Sequence, residues 1–259
     1  MATSLKSRDS NRVLYLYGIT LEGEGATPGI TGVDAVAAVE AVSCAGLVCW
    51  ISRVHKTEFA ENLARNMENL EWLADVSVRH QQVVAALANS HDILPARFGT
   101  VFRTSASLSA DVEKNKALLV RDLKRISGCE EWGVKVFGLS AQPQATARAK
   151  SGRDYLQAKA AALRSEEPRT ADGEVQRLLQ ALEGIAVQSA IGTGAVSRGQ
   201  RGLHWQGSLL VKRSQRAKLQ QLMARFSQEW EGKRRIELSG PWPPYSFVSR
   251  SQEKEAGRA

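Results

Sequence analysis

Cysteine is scarce in this chain of 259 residues: Cys44, Cys49 and Cys129 are an odd three, with no CxxC pair and no histidine at ligand spacing. That gives neither a disulfide framework nor a zinc site any support, so buried reduced thiols are expected. The four histidines, His55, His80, His91 and His204, contain no i,i+4 pair, and no metal or cofactor is expected. Long apolar runs are missing too. The longest, residues 41–51, has eleven residues, whereas a helix needs about 20 to cross a bilayer. The first dozen residues are polar and charged, without the apolar stretch of a secretory signal. A cytoplasmic protein with no membrane partner is expected.

Catalytic signatures are equally lacking: there is no GxSxG, HExxH or P-loop, and no GxGxxG opening a helix after a strand. The GTG at residues 192–194 lacks the following Lys-Ser/Thr and reads as a strand bend. Glu130 and Glu131 are adjacent, so on extended chain they point opposite ways and cannot share acid/base work; they read as a solvated start to a strand. The expectation is a protein without enzymatic activity.

Charge is what the sequence does have. Lys and Arg balance Asp and Glu at 14 against 14 over residues 1–128, and outnumber them 21 to 13 over residues 129–259. Two domains with different surroundings follow from that asymmetry, the basic second half reading either as suited to an acidic protein partner or simply as a solvated surface. No aromatic-rich basic motif accompanies the excess, so nucleic acid is not expected as a partner.

The element pattern divides the same way. Residues 12–20 alternate as a strand, and two apolar runs around Ala45-Gly46 read as a hairpin. Thr57 is placed to cap a helix carrying Phe59, Leu63 and Met67 on one face. A second helix, about 70–89, puts Leu73, Val76, His80, Val83, Val84 and Leu87 on one stripe. His80 reads as a hydrogen-bonded histidine at a packed edge. Residues 93–102, ILPARFGTVF, read as one strand whose Arg97, among apolar neighbours, needs a partner. A helix over about 107–127 follows, with Leu108, Val112, Leu119, Leu123 and Ile126 inward and Gly128 as its left-handed cap.

In the second half, WGVKVFGL is a strand and residues 139–151 a linker. Helices are expected over 153–165 and 172–188, then a strand pair. Ser214 is placed to cap a helix carrying Leu219, Leu222, Met223, Phe226 and Trp230, and RRIELSG is the last strand. The fold class is α+β in two domains: a mixed two-layer unit over 12–128, and a modified ferredoxin-like βαββαβ unit with an extra helix over 129–248. Residues 1–11 and 249–259 are expected to be disordered tails.

Only seven prolines occur, yet three fall in GPWPPYSFV, residues 240–248. Pro241, Pro243 and Pro244 lack amide donors and cannot sit in a central strand. Pro241-Trp242-Pro243-Pro244 satisfies the PxxP ligand pattern. The alternative, which follows better from an apolar strand directly upstream, is a stiff corner whose Trp242, Tyr245 and Phe247 pack back onto the body.

YLYGIT at 15–20, RHQQVVAAL at 79–87, ILPARFGTVF at 93–102, EEWGVKVF at 130–137, GRDYL at 152–156 and LSGPWPPYSFV at 238–248 occur in order. Together they resemble the GvpF/GvpL family of gas vesicle proteins, and LPxRFGTVF with GPWPPYxFV is the specific part of the likeness. The resemblance implies two α+β domains, the second a modified ferredoxin-like fold. It implies a minor structural or accessory protein of the gas vesicle, contacting the main shell protein and other accessory gas vesicle proteins during assembly. Arg97, Phe98, Gly99, Pro241, Trp242, Pro243, Pro244, Tyr245 and Phe247 are the residues expected to bind a partner or to define the fold. The competing expectation is a ferredoxin-like binding module for RNA or a small regulatory ligand.

Overall fold

The computed structural model describes residues 11–23, 29–138, 173–191 and 202–249. The expected linker at 139–151, the extra helix at 153–165, the GTG turn at 192–194 and nearly all of both tails lie outside them. Two compact units emerge: the first comprises Met1–Cys129 together with Trp242–Ala259, the second Glu130–Pro241. The boundary expected at residue 248 therefore moves to 241, because Trp242 onward belongs to the first unit.

The first unit is built on β1 (Arg12–Leu21), flanked by β3 (Leu47–His55) and by two short strands, β4 (Leu94–Pro95) and β5 (Val101–Phe102). β2 (Glu40–Cys44) pairs with β3 through a hairpin turn in which Ala45 and Gly46 have φ of 56° and 78°. Two successive positive φ values are what a two-residue turn between right-twisted strands requires. All pairings are antiparallel. A bulge between Leu16 and Gly18 leaves Tyr17 without a partner on β3. Its carbonyl accepts the amide of Ala96 instead, at 2.8 Å.

Residues 93–102 are thus two short strands and not one. Between them Thr100 folds back, its amide and hydroxyl both donating to the Arg97 carbonyl, with Gly99 at φ 78°. The glycine in RFGT permits the turn that an unbroken strand would not contain.

A π-helical turn (Thr57–Glu61) and helix α1 (Leu63–Met67) lead to α2 (Leu70–Ser90). Thr57 does not cap: Lys56 occupies the preceding position and no side chain bonds the turn. The cap signal that operates is Asn69, which accepts the amides of Glu71 and Trp72 and starts α2. Helix α3 (Ser105–Ile126) starts on Thr104 in a reciprocal capping box with Ser107, two residues ahead of expectation, and Gly128 at φ 66° ends it. β1 is buried along both faces. Val13, Tyr15 and Tyr17 pack with Val76, Val83, Val84 and Leu87 of α2 in one cluster. Helix α3 touches β1, β2, β4 and β5, and its buried residues lie outside that cluster. It adds a helical layer on the opposite face of the sheet.

The second unit runs β6 (Cys129–Gly138), α4 (Gly173–Glu183), β7 (Ala186–Ile191), β8 (Leu203–Lys212), α5 (Arg216–Glu229) and β9 (Arg234–Trp242). Its sheet order, β7-β8-β6-β9, is the ferredoxin-like arrangement read from the sequence. Helix α4 ends at Glu183, five residues before the helix expected there, because Gly184 and the β-branched Ile185 and Val187 favour extended chain. Ser214 sits in a 3-10 turn (Arg213–Gln215) and caps nothing. Trp132, Val134 and Val136 of β6, Leu209 and Val211 of β8, and the inner faces of both helices form one core. β9 is an edge strand, where Pro241 costs no ladder bond.

Glu130 and Glu131, expected to be solvated, are only 6% and 7% exposed. Glu130 accepts both arms of the Arg216 fork and the indole N–H of Trp132 at 2.8 Å. Burial pushes its carboxyl up, but these donors outweigh it and hold the pKa below the ordinary value.

Gly18 sits at the tightest point of the first sheet, opposite both Trp50 and Pro95. A methyl there would lie 2.5 Å from Ile93 Cδ1 and 2.7 Å from the Leu94 carbonyl oxygen. Gly18→Ala is expected to lower the urea unfolding free energy by about 1–3 kcal/mol. An unchanged midpoint would show that β4 is not held against β1 as described.

Candidate functional site

The two motifs that dominate the sequence, RFG at 97–99 and PPYSF at 243–247, meet inside the first unit at His80. Its ring is 1% exposed. Nδ1 lies 3.1 Å from the Tyr15 hydroxyl and Nε2 3.1 Å from the Tyr245 hydroxyl. Tyr15 Oη also accepts the amide of Gly99 at 3.0 Å. A neutral imidazole has one donor and one acceptor nitrogen. With Tyr15 already accepting from Gly99, the arrangement that also uses the Tyr15 proton has Tyr15 donating to Nδ1 and Nε2–H donating to Tyr245.

Rings close the site around these bonds. Tyr17 stacks against His80 at 5.9 Å between centroids, and the Phe98 edge approaches at 5.8 Å. Tyr15 packs edge-on to Phe59. Tyr17 is fixed by Ser52 Oγ at 2.7 Å and by the amide of Val33 at 2.9 Å. Burial disfavours imidazolium and brings the His80 pKa down from 6.5 to about 4. Burial likewise raises the hydroxyls of Tyr15 and Tyr245, and pushes Tyr17 up to about 12. All four groups are neutral at pH 7, and both imidazole nitrogens are occupied.

The residues singled out from the sequence divide between core and surface. Phe98, Gly99 and Tyr245 join at His80. Pro243, Pro244 and Phe247 are buried, and the carbonyls of the two prolines accept the amides of Tyr245 and Phe247 in a short 3-10 turn. Beyond it, Asp122 of α3, 1% exposed, accepts the amide of Ser249 at 2.7 Å and its hydroxyl at 2.9 Å. Arg125 bonds both Asp122 and the Phe247 carbonyl. Trp242, expected to pack back, is 52% exposed. Arg97 is exposed as well and, among the described residues, has no carboxylate partner, because the turn at 97–100 aims its side chain outward. Pro241 lies exposed on edge strand β9. Tyr15 was not singled out from the sequence. Its only signal was an alternating strand with tyrosines two apart, which put both rings on one face.

A second surface feature lies on the far side of the helix that carries His80. Leu70 is 80% exposed and Val78 55%. With Ala74, Gln81 and Ala85 they make an uncharged stripe along α2, beside which Glu71 and Asp75 are also exposed, and exposed Met67 of α1 stands just ahead of it in the chain.

The chain matches the family model described as gas vesicle synthesis protein GvpL/GvpF over residues 13–249. It belongs to the GvpL/GvpF family. Gas vesicle protein L of Streptomyces sp. (strain CB03234) is 33% identical over 268 residues, spanning 96% of this chain and 99% of that one. Among solved structures, GvpF from Anabaena sp. PCC7120 superposes with a TM-score of 0.67 at 20% identity, over 93% of this chain and 97% of that one. GvpF from Microcystis aeruginosa gives 0.65 at 19%, over 92% and 99%. These two likenesses show that the GvpL/GvpF chain shares their fold. Among its described residues, no helix is long and apolar enough to cross a membrane.

The buried histidine gives this GvpL/GvpF protein a defined acid response. With a folded pKa below the unfolded one, His80 leaves stability intact above about pH 6.5 and withdraws it as pH falls toward 4, where the unfolded chain takes up the proton first. The loss amounts to about 3 kcal/mol. Asp122 acts lower: its folded pKa is depressed, so its contribution is present above the ordinary carboxylate value and goes as pH falls further. Urea unfolding between pH 7 and 4 should show the loss in the natural protein and a flatter profile in His80→Gln. Identical slopes would contradict the assignment.

Proposed function

We propose that this protein is a minor structural or accessory component of the gas vesicle, cytoplasmic and vesicle-associated. It binds the main shell protein and other accessory gas vesicle proteins while the shell is built, and performs no bond chemistry of its own. Family membership across residues 13–249 supports the vesicle assignment. The observation that carries the binding role is the outer face of α2. An uncharged stripe with Leu70 and Val78 in solvent gains from covering by an apolar partner. Its opposite face is pinned through His80, so the stripe is presented on a rigid helix and little ordering entropy is lost on binding. Occupation of both His80 nitrogens supports a framework role for this buried network.

Leu70→Glu with Val78→Glu places two charges on that face at exposed positions, where substitutions change stability by no more than about 0.5 kcal/mol. Capture of the main shell protein by the folded double variant is expected to fall by about tenfold. In cells, deletion of the gene is expected to abolish refractile vesicles, and the double variant should restore fewer than the natural chain. Undiminished capture removes α2 from the binding surface; normal vesicles in the deletion strain remove the assembly role. Trp242→Ala, tested alongside, reports whether the exposed end of the Pro-aromatic segment contributes.

A further inference from the structure

The two described helices of the second unit, α4 and α5, pack together and leave a cleft of about 320 Å³ on their outer side. Ala181, Gly184 and Ile185 line it from the end of α4, and Lys218, Gln221, Leu222 and Arg225 from α5. The α5 residues stand at i, i+3, i+4 and i+7, one stripe two turns long. Leu222 and Ile185 give an aliphatic floor. Lys218 and Arg225 stand at either end, about 10 Å apart along the helix axis.

The cleft exists because α4 ends in small residues. A β-carbon on Gly184 would meet only the Ala181 carbonyl oxygen, at 3.6 Å, an ordinary contact. No carboxylate lines the cleft. Elsewhere in the unit Arg177, Arg216, Arg234 and Arg235 are paired with Glu229, Glu130, Glu174 and Glu237. Lys218 and Arg225 have no carboxylate partner among the described residues. Arg225 lies over the ring of Phe226, 5.2 Å from its centroid, and keeps its full charge there. An aliphatic floor between two cations without carboxylate partners is complementary to one kind of occupant.

We propose that this cleft binds an acidic amphipathic helix of a partner protein, with an aliphatic side chain over Leu222 and Ile185 and carboxylates seven residues apart facing Lys218 and Arg225. A polypeptide fits better than nucleic acid, since no aromatic ring lines the cleft for a base to stack on. Desolvation of the floor supplies affinity, and the two cations fix register and orientation. The site stands on the second unit's own geometry, and its test does not depend on vesicle formation.

The probe is a fluorescein-labelled synthetic helix of about 14 residues, with a leucine stripe flanked by two glutamates seven apart, titrated by anisotropy with the full chain in about 150 mM salt. A Gln-for-Glu version of the peptide and a single-stranded DNA oligonucleotide are the comparisons. The Glu peptide is expected to bind about tenfold more tightly than the Gln peptide. Lys218→Glu with Arg225→Glu should abolish binding. Gly184→Leu, which fills the cleft and leaves the charge unchanged, should weaken it several-fold, with the unfolding midpoint of each variant confirming the fold. The proposal is overturned if the Glu peptide does not bind, if either variant binds it as the natural chain does, or if the oligonucleotide binds as tightly.

Discussion

An imidazole sealed from water needs a partner on each nitrogen, and His80 finds them far apart in sequence: Tyr15 on β1 and Tyr245 in the 3-10 turn after β9. An unmet polar group in such a place costs about 1–3 kcal/mol. That cost explains why the surrounding chain is arranged as it is. The bulge at Tyr17 frees a carbonyl for Ala96, the turn at Arg97–Thr100 brings the Gly99 amide onto Tyr15, and the ring of Phe98 closes one side. The prolines set the backbone that delivers Tyr245 to the other side.

The first unit is therefore finished only after the residues of the second unit have been made. The polypeptide leaves it after Cys129, builds a ferredoxin-like unit with its own core, and returns at Trp242. Phe247 is buried on return, and Asp122 and Arg125 of α3 hold the backbone of Phe247 and Ser249. What a proline-rich ending loses in ladder bonds is recovered here by burial of Pro243, Pro244 and Phe247 and by charged acceptors for its amides. With Tyr245 and Phe247 committed to the interior, Leu70 and Val78 of α2 remain among the large apolar side chains left in solvent.

Much of this was legible in residue order. The hairpin at Ala45-Gly46, the stripe of α2, the left-handed Gly128 and the βαββαβ order of the second unit follow from local turn chemistry and periodicity, which act within a few residues. The misreadings share a different cause. Thr57 and Ser214 have capping side chains, but each falls inside a turn, π-helical for Thr57 and 3-10 for Ser214, that no side chain caps. Glu130 is charged and reads as exposed until Arg216, 86 positions away, is folded against it. Trp242 was expected inside and Arg97 to need a partner, because hydrophobicity and neighbours in sequence do not report which way a turn aims a side chain. That LPxRFGTVF and GPWPPYSFV are halves of one site is information about long-range contact, which no local pattern carries.

The central claim is that Tyr245 and His80 are energetically coupled across 165 positions of sequence. A double-mutant cycle on unfolding free energy at pH 7.5, with His80→Leu, Tyr245→Phe and the pair, measures that coupling directly. The bond described here predicts a coupling of about 1 kcal/mol, the pair costing less than the two single losses together. Losses that add to within about 0.3 kcal/mol would contradict it.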